Sequence, residues 1–399
     1  MRSFFTLAVA LTFGSLGVLG TPEAQAFSQY SPVTPIGHEY LVVSPARDRS
    51  LAMYAELNPS RAQVTGSSAN CGVGCTDYGT KSFAVWSAII GQRWVDTMGF
   101  GMKPGTETRC FDAVAQSNDG IMYDHFLRMR NDFNGCGAND GRTRSIKGSV
   151  ARFRQYFKDA ALADDSVIRS RDGGFTTAHY KVMRAYFLFG RAVHLFQDSF
   201  STEHAVRSAT GEILDIKSYF CMAGVPLHKH SYTARAMGED SYAQNGDVIW
   251  KSSVGNTDDN LKPHAEMARR AMVDLWGAFM RAHKSHGRID PELEFLTRKW
   301  FSFREGLGSD PATLPTPAAL AACTFPTAAK IAFDVQACLK WTGRNPTSSI
   351  VTPFDWSVTG FTDTVYDSDL PKYPGKDTDT GGARPPAGPV PPSCPASRR

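Results

Sequence analysis

The segment 176–198 constrains the fold most, because its apolar side chains recur at steps of four and three residues. That spacing is typical of one face of an α-helix, and the polar side chains between fall on the opposite face. The apolar stripe consists of Val182, Tyr186, Phe189, Val193 and Phe196. The segment therefore predicts a long amphipathic helix that other elements can cover, with His179 near its start.

Other parts of the chain repeat this helical periodicity. The segments 81–98 and 149–162 each carry an apolar stripe, and so does "NTDDNLKPHAEMARRAMVDLWGAFMRAH". The last of these opens with Asp and Asn residues that are candidates for helix caps, followed by an early proline. Strand-like alternation is scarce before residue 300. We therefore predict a mainly α domain with long loops.

The amino terminus has the pattern of a secretory signal. Arg2 precedes an apolar run over residues 4–20, and small residues then lead to Ala24-Gln25-Ala26. The run is short and rich in glycine for a membrane span, and the A-x-A pattern is a cleavage site. A buried N-terminal helix is the alternative. We predict a signal peptide over residues 1–26, a mature chain that starts at Phe27, and a secreted or periplasmic protein.

All eight cysteines follow the predicted signal. An even number of cysteines in an exported chain favours disulfides over metal ligation by thiolates, and their connectivity stays open. Cys71 and Cys75 lack the second pair that a zinc knuckle requires. The formal net charge at pH 7 is only +4. With no runs of Lys or Arg, this charge mildly disfavours a protein that reads a polyanion.

The composition of the chain changes after about residue 290. A proline-rich joint, "GSDPATLPTPAAL", is followed by a weakly alternating, strand-like segment and then by a tail of Pro, Gly, Asp and Ser. Such a tail lacks the apolar residues that a packed core needs. We predict a main domain over residues 27–290, a C-terminal extension of unknown role over 291–370 that contains some β-structure, and a disordered tail over 371–399.

The stretch "RAVHLFQDSFSTEH" contains the residues that point to chemistry. His194 and Asp198 are four residues apart, so on a helix they share one face, and His204 follows shortly after. Imidazole and carboxylate are preferred ligands of zinc, and one helical turn lets both reach one ion. Gly190, one turn earlier, leaves room for close approach on that face. Taken alone, such a pair is more often a helix salt bridge or a core histidine than a metal site.

The wider stretch "YFLFGRAVHLFQDSFSTEHAV" resembles the central metal-binding helix of the secreted zinc-dependent phospholipases C and of the related single-strand nucleases. Both families carry the pattern H-x3-D-x5-H, which His194, Asp198 and His204 match. The resemblance implies a phospholipase C-like multi-helix domain with two to three zinc ions. It implies that His194 and Asp198 serve a close zinc pair, which the aspartate bridges, and that His204 serves a third zinc.

The same resemblance implies further ligands for the zinc pair. The amine and carbonyl of the mature terminus, here Phe27, would share one zinc with His38, from "PIGHEYLV", and with Asp198. "RCFDAVAQSNDGIMYDHF" supplies Asp112 and His125, which would complete the zinc held by His194 and Asp198. Asp112 also takes the role of the general base.

The third zinc departs from the family pattern. Tyr232 and Ala234 occupy the positions where the families carry an acid. We expect His230 to join His204, with His228 as the alternative. An acid from a loop, Asp240 or else Glu239 or Asp247, would complete this site.

The resemblance implies hydrolysis of a phosphodiester by zinc-activated water. The stretch "QDSFSTEH" and the "HSY" at residue 230 are closer to the lipase branch. We therefore expect a phospholipase C that releases diacylglycerol and a phosphorylated head group from lipids such as phosphatidylcholine. Its partner would be a phospholipid or a membrane surface, and we expect no stable protein partner. A single-strand nuclease, which would bind nucleic acid, and a non-catalytic protein stabilised by metal are the alternatives.

Overall fold

The computed structural model describes the middle of the chain. The described residues are 37–46, 83–97, 119–130, 132, 141–171, 179–220, 222, 224–228, 248–252, 258–303, 316 and 318. Their α-helices are α1 (Gly37–Ala46), α2 (Phe83–Thr97), α3 (Gly141–Leu162), α4 (Arg184–Asp198), α5 (Pro263–Lys284) and α6 (Ile289–Trp300). Short 3-10 helices span Asp119–His125, Asp258–Asn260 and His286–Arg288. The prediction of a mainly α fold is confirmed.

Two antiparallel ribbons supply the strands of the described residues. β1 (Val167–Arg171) pairs with β2 (His179–Met183), and β3 (Ala205–Arg207) pairs with β4 (Ile213–Ile216). The helix predicted over 176–198 therefore begins late, at Arg184, and the prediction that His179 lies near a helix start is wrong. A step of four residues, such as that from Val182 to Tyr186, is also a multiple of the strand period of two, so the apolar pattern could not distinguish the two structures.

Helix α4 lies at the centre of the domain. Every residue from Ala185 to Asp198 is buried. Its backbone touches that of α2, since an added Cβ on Gly190 would lie 2.1 Å from the carbonyl oxygen of Ala88, and one on Gly91 would lie 1.9 Å from that of Phe187. Glycine is required at both positions because no side chain fits between the two helices. The close approach fixes the position of α4 relative to α2.

Aromatic side chains fill the space around α4. The ring centroid of Phe153 on α3 lies 5.3 Å from that of Phe196 on α4, and Phe301, just after α6, lies 5.1 Å from Phe153. On the other side, Phe189 stacks on Phe279 of α5 with centroids 4.0 Å apart. The core thus continues past residue 290, where the sequence analysis places the end of the domain.

Helix α1 is short, as the proline in its last turn requires, and it is anchored from several sides. The buried Glu39 forms an ion pair with Arg93 of α2, with Nη2 and Oε1 2.5 Å apart. The hydroxyl of Tyr40 donates to Asp258 at 2.6 Å. The indole of Trp276 on α5 donates to the carbonyl of Val42 at 3.2 Å. These contacts connect α1 to α2, to the 3-10 turn at Asp258 and to α5.

The segment before α5 differs from the sequence prediction. Its Asp and Asn residues form a 3-10 turn, and the residue that precedes the helix is Lys262, which makes no side-chain cap. Pro263 occupies the first turn of the helix, as predicted. Asp258 accepts hydrogen bonds from α1 instead, so its carboxylate joins two helices rather than capping one.

Several predictions lie outside the described residues. These are the signal peptide, all eight cysteines, the strand-like segment and tail after residue 318, and the candidate site residues Phe27, Asp112, His230, Glu239, Asp240 and Asp247. Within the described part of the chain, no helix has the length and apolar character needed to cross a membrane.

Candidate metal centre

The centre is built on the last turn of α4. His194 and Asp198 lie one turn apart on one face of the helix, with Nε2 of His194 3.0 Å from Oδ2 of Asp198. Both side chains are fully buried. The helix ends at this point, so the chain turns immediately and brings His204 back toward the same carboxylate.

His38, near the start of α1, meets the other oxygen of the carboxylate. Its Nε2 lies 3.1 Å from Oδ1 of Asp198. The imidazole also stacks on that of His194, with centroids 4.6 Å apart and planes inclined by 22°. His38, His194 and Asp198 offer ligand atoms that all lie within 4.8 Å of one another.

His125 closes the cluster from the end of a 3-10 helix. Its Nδ1 lies 3.3 Å from Oδ2 of Asp198 and 3.1 Å from Nε2 of His194. The next residue, Phe126, has φ of +51°, a left-handed conformation that is uncommon for residues other than glycine. Burial of the Phe126 ring holds this conformation, because leaving it would expose an aromatic side chain. The turn orients both the ring and the carbonyl of His125.

A second pair of histidines lies beside the cluster. His204 donates from Nδ1 to the carbonyl of His125 at 2.5 Å, and His228 donates from Nδ1 to the carbonyl of Glu203 at 2.7 Å. Each bond fixes the tautomer in which Nε2 carries the lone pair, the form that binds a metal. The two rings meet edge to face with centroids 4.5 Å apart. The ring of His228, the alternative to His230, therefore lies against that of His204, while His230 is outside the described residues.

The distances in the cluster fit a zinc ion. Four ligand atoms placed tetrahedrally at zinc's usual bond lengths are separated by about 3.3 Å. The contacts of Asp198 with His38, His125 and His194 are 3.0–3.3 Å long. Oδ1 of Asp198 is buried and accepts no hydrogen bond within the described part of the chain, although a histidine nitrogen is 3.1 Å away. A nitrogen and a carboxylate oxygen that face each other without a shared proton suit a cation between them.

Protonation states at the centre also suit a metal. Burial lowers the pKa of the His194 imidazole from 6.5 to about 3, although the nearby carboxylate acts in the opposite direction. Burial alone would raise the pKa of Asp198, but the polar imidazoles around it, with hydrogen bonds from His125 and His194, hold that pKa well below its usual range. Neutral imidazoles around an ionised carboxylate are the forms in which these groups bind metal.

The structure brings together every predicted ligand that it describes: His38, His125, His194, Asp198 and His204, with His228 beside them. The two oxygens of Asp198 face different histidines, Oδ1 toward His38 and Oδ2 toward His125 and His194. Sequence reasoning missed Gln197, whose side chain contacts His38. Its spacing of three residues from His194, on nearly the same helical face, was the available signal.

The fold and the cluster together define a mainly helical protein with a buried histidine–carboxylate centre suited to a divalent metal. No protein-family profile matches the chain, and no solved structure matches it. The chain is similar to Hemolysin-1 of Aeromonas salmonicida, with 36% identity over 325 residues, which are 71% of this chain and 55% of that protein. The chain thus spans about half the length of the relative that it matches.

Proposed function

We propose that this chain is an exported zinc-dependent phosphodiesterase that acts on membrane phospholipids as a phospholipase C. The observation that carries the proposal is the buried carboxylate of Asp198, which three imidazoles approach from different directions within 3.3 Å. A surface histidine–aspartate pair forms readily by chance, but a fully buried carboxylate shared among His38, His125 and His194 is costly without a cation. Such an arrangement is typical of a site for clustered divalent ions.

Different residues of the chain would have different roles at such a site. Zinc ions held there would supply Lewis acidity, which activates water at neutral pH and offsets the charge of a phosphate group. Asp198 would be shared between two ions, and the imidazoles of His38, His125 and His194, which bring no negative charge as ligands, would complete the set. A ligand set with so little negative charge leaves the centre net positive, which attracts a phosphodiester anion. His204 and His228 would hold a further ion.

Asp112 and Phe27 belong to this proposal through the family resemblance. Asp112 would be a zinc ligand and the general base, and the amine and carbonyl of Phe27 would join His38. His230 and Asp240 are the corresponding proposals for the third ion.

The relative supports the choice of a lipid substrate over a nucleic acid. Its name describes a protein that lyses red blood cells, and hydrolysis of membrane phospholipids is one chemical route to lysis. An exported enzyme would meet such membranes, which agrees with the signal predicted over residues 1–26. We therefore propose diacylglycerol and a phosphorylated head group as the products.

The test uses zinc-loaded mature protein with phosphatidylcholine vesicles and, separately, single-stranded DNA. We expect zinc-dependent release of phosphocholine from the vesicles and no cleavage of the DNA. The Asp198→Asn variant should lose more than about 100-fold in rate, because a metal ligand is replaced. Asp165→Asn is the matched control, since Asp165 also pairs with a histidine, His283, at 3.1 Å, but at the surface. Cleavage of DNA alone would favour the nuclease, and no cleavage of either would contradict an enzyme of this class.

A further inference from the structure

Gln197 is a polar side chain placed inside the centre. It lies directly before Asp198 and three residues after His194, and it is fully buried. Its carbonyl oxygen Oε1 lies 2.5 Å from Nδ1 of His38, a residue 159 positions earlier in the chain. His38 is therefore held on three sides, by the ring of His194, the carboxylate of Asp198 and the carboxamide of Gln197.

The contact with Gln197 decides which nitrogen of His38 carries the proton. A carbonyl oxygen only accepts hydrogen bonds, so Nδ1 of His38 must be the donor and Nε2 must hold the lone pair. Nε2 is the nitrogen that faces Oδ1 of Asp198, at 3.1 Å. In the other tautomer, Nε2 would carry the proton and would have no lone pair to offer a metal ion.

The fold gains little from the polarity of Gln197. The amide nitrogen Nε2 of Gln197 is buried and makes no hydrogen bond in the part of the chain that the structure describes. A buried donor without a partner is unfavourable, and an apolar side chain of the same length would avoid it. The side chain is therefore better explained by its contact with His38 than by packing.

We propose that Gln197 is a positioning residue that selects the metal-binding tautomer of His38 and so sets the zinc affinity of the centre. This inference rests on the proposed zinc site. The carboxamide oxygen of Gln197 accepts the proton of Nδ1, a bond that the tautomer with its proton on Nε2 would lose. With the carboxamide present, the proton stays on Nδ1, and Nε2 and the carboxylate both present lone pairs to a cation. Without it, this preference is lost, and a proton on Nε2 would leave that atom no lone pair for a cation.

The experiment measures the zinc affinity of the full mature chain by competition with a chelator of known affinity. Gln197→Leu should weaken the binding of at least one zinc per chain by about 10- to 100-fold, the range for residues that orient a ligand. Gln197→Glu, which keeps an acceptor for Nδ1, should bind zinc within a few-fold of the wild type. Gln92→Leu is the matched control, because Gln92 is also fully buried and neither end of its carboxamide makes a hydrogen bond in the described residues.

A second readout needs no metal. In zinc-free protein labelled with 15N-histidine, the signals of His38 should report a proton on Nδ1 in the wild type and on Nε2 in Gln197→Leu. Wild-type affinity in Gln197→Leu, or equal losses in Gln197→Leu and Gln197→Glu, would overturn the inference. A wild-type chain that binds no zinc would instead contradict the proposed function, so the two failures are distinguishable.

Discussion

At the scale of single residues, the protonation of buried acids governs both function and stability. Asp198 has no exposed surface, and the loss of hydration of a buried carboxylate costs several kcal/mol unless opposite charge offsets it. The buried His194 is neutral at physiological pH, because its pKa is about 3, and so it contributes hydrogen bonding but no full positive charge. A divalent cation would supply that charge. The same physical effect, on a smaller scale, acts on a second acid away from the centre.

Asp159 on α3 is half-buried, and burial raises the pKa of its carboxyl to about 6, although a hydrogen bond from Gln155 and the charge of Arg191 act against the shift. The folded state therefore holds this proton more tightly than the unfolded state. Its contribution to stability is fully present below about pH 4 and is lost as the pH rises through 6. Asp159→Asn should remove this pH-dependent loss of stability, because asparagine does not ionise.

The measurement for Asp159 is the free energy of unfolding in urea from pH 4 to pH 7. From pH 4 to pH 7, the free energy of unfolding of the variant should rise relative to that of the wild type by about 1 kcal/mol. This figure is smaller than the full pKa shift of Asp159 implies, because the side chain is partly exposed. A difference between the two proteins that does not change with pH would show that Asp159 ionises normally. Because both proteins contain the same histidines, the effect of histidine titration is removed from the difference between their free energies of unfolding.

At the scale of elements, sequence periodicity located the helices well and their ends less well. The helix predicted over 81–98 is α2, but α3 begins at Gly141 rather than at residue 149, because its first two turns lack a clear apolar stripe. Within the predicted segment 176–198, residues 179–183 pair as β2. Where a helix begins depends on the hydrogen-bond partners in neighbouring elements. Here the hydroxyl of Ser87 on α2 accepts a hydrogen bond from the amide of Met183, directly before α4.

The contact between α2 and α4 provides a prediction at this scale. In Gly190→Ala the new methyl group would lie 2.1 Å from the carbonyl oxygen of Ala88, so the helices must separate. We expect a loss of about 1–3 kcal/mol or more in the free energy of unfolding, with weaker zinc binding, because His194 lies one turn further along α4. Denaturant unfolding and zinc titration check both effects.

Gly287→Ala is the control for this helix contact. Gly287 lies in a 3-10 helix, has no atom within 4 Å of a built Cβ, and does not require a positive φ. Its substitution should leave both stability and zinc affinity unchanged. Equal effects of the two substitutions, or a fully stable Gly190→Ala protein, would show that α2 and α4 do not need their close approach.

At the scale of the whole molecule, the centre is assembled from segments far apart in the sequence. His38, His125, Asp198 and His228 come from four such segments and converge at one end of α4. Helical spacing alone could predict only that His194 and Asp198 share a face, and the resemblance to a known pattern was needed to choose the others. The spacing of Gln197 from His194 indicates that they share nearly the same helical face, but its contact with His38 depends on where α1 packs, which the sequence does not show.

The assembly explains why metal binding and folding should be coupled. Helix α1 brings His38, the 3-10 helix brings His125, and the turn after α4 brings His204, so an ion bound among them would tie these elements together. The ion pair between Glu39 of α1 and Arg93 of α2 holds part of this arrangement in place without an ion. We therefore propose that these segments converge in order to hold divalent ions.

The most direct test is the metal content of the folded wild-type chain, purified from its exported form without exposure to chelators and measured by elemental analysis. We predict about two to three zinc ions per wild-type chain. The Asp198→Asn variant should contain fewer, and the Asp165→Asn variant should contain as many as the wild type. Folded wild-type protein that carries no tightly bound transition metal, and takes up none from a zinc solution, would contradict the account.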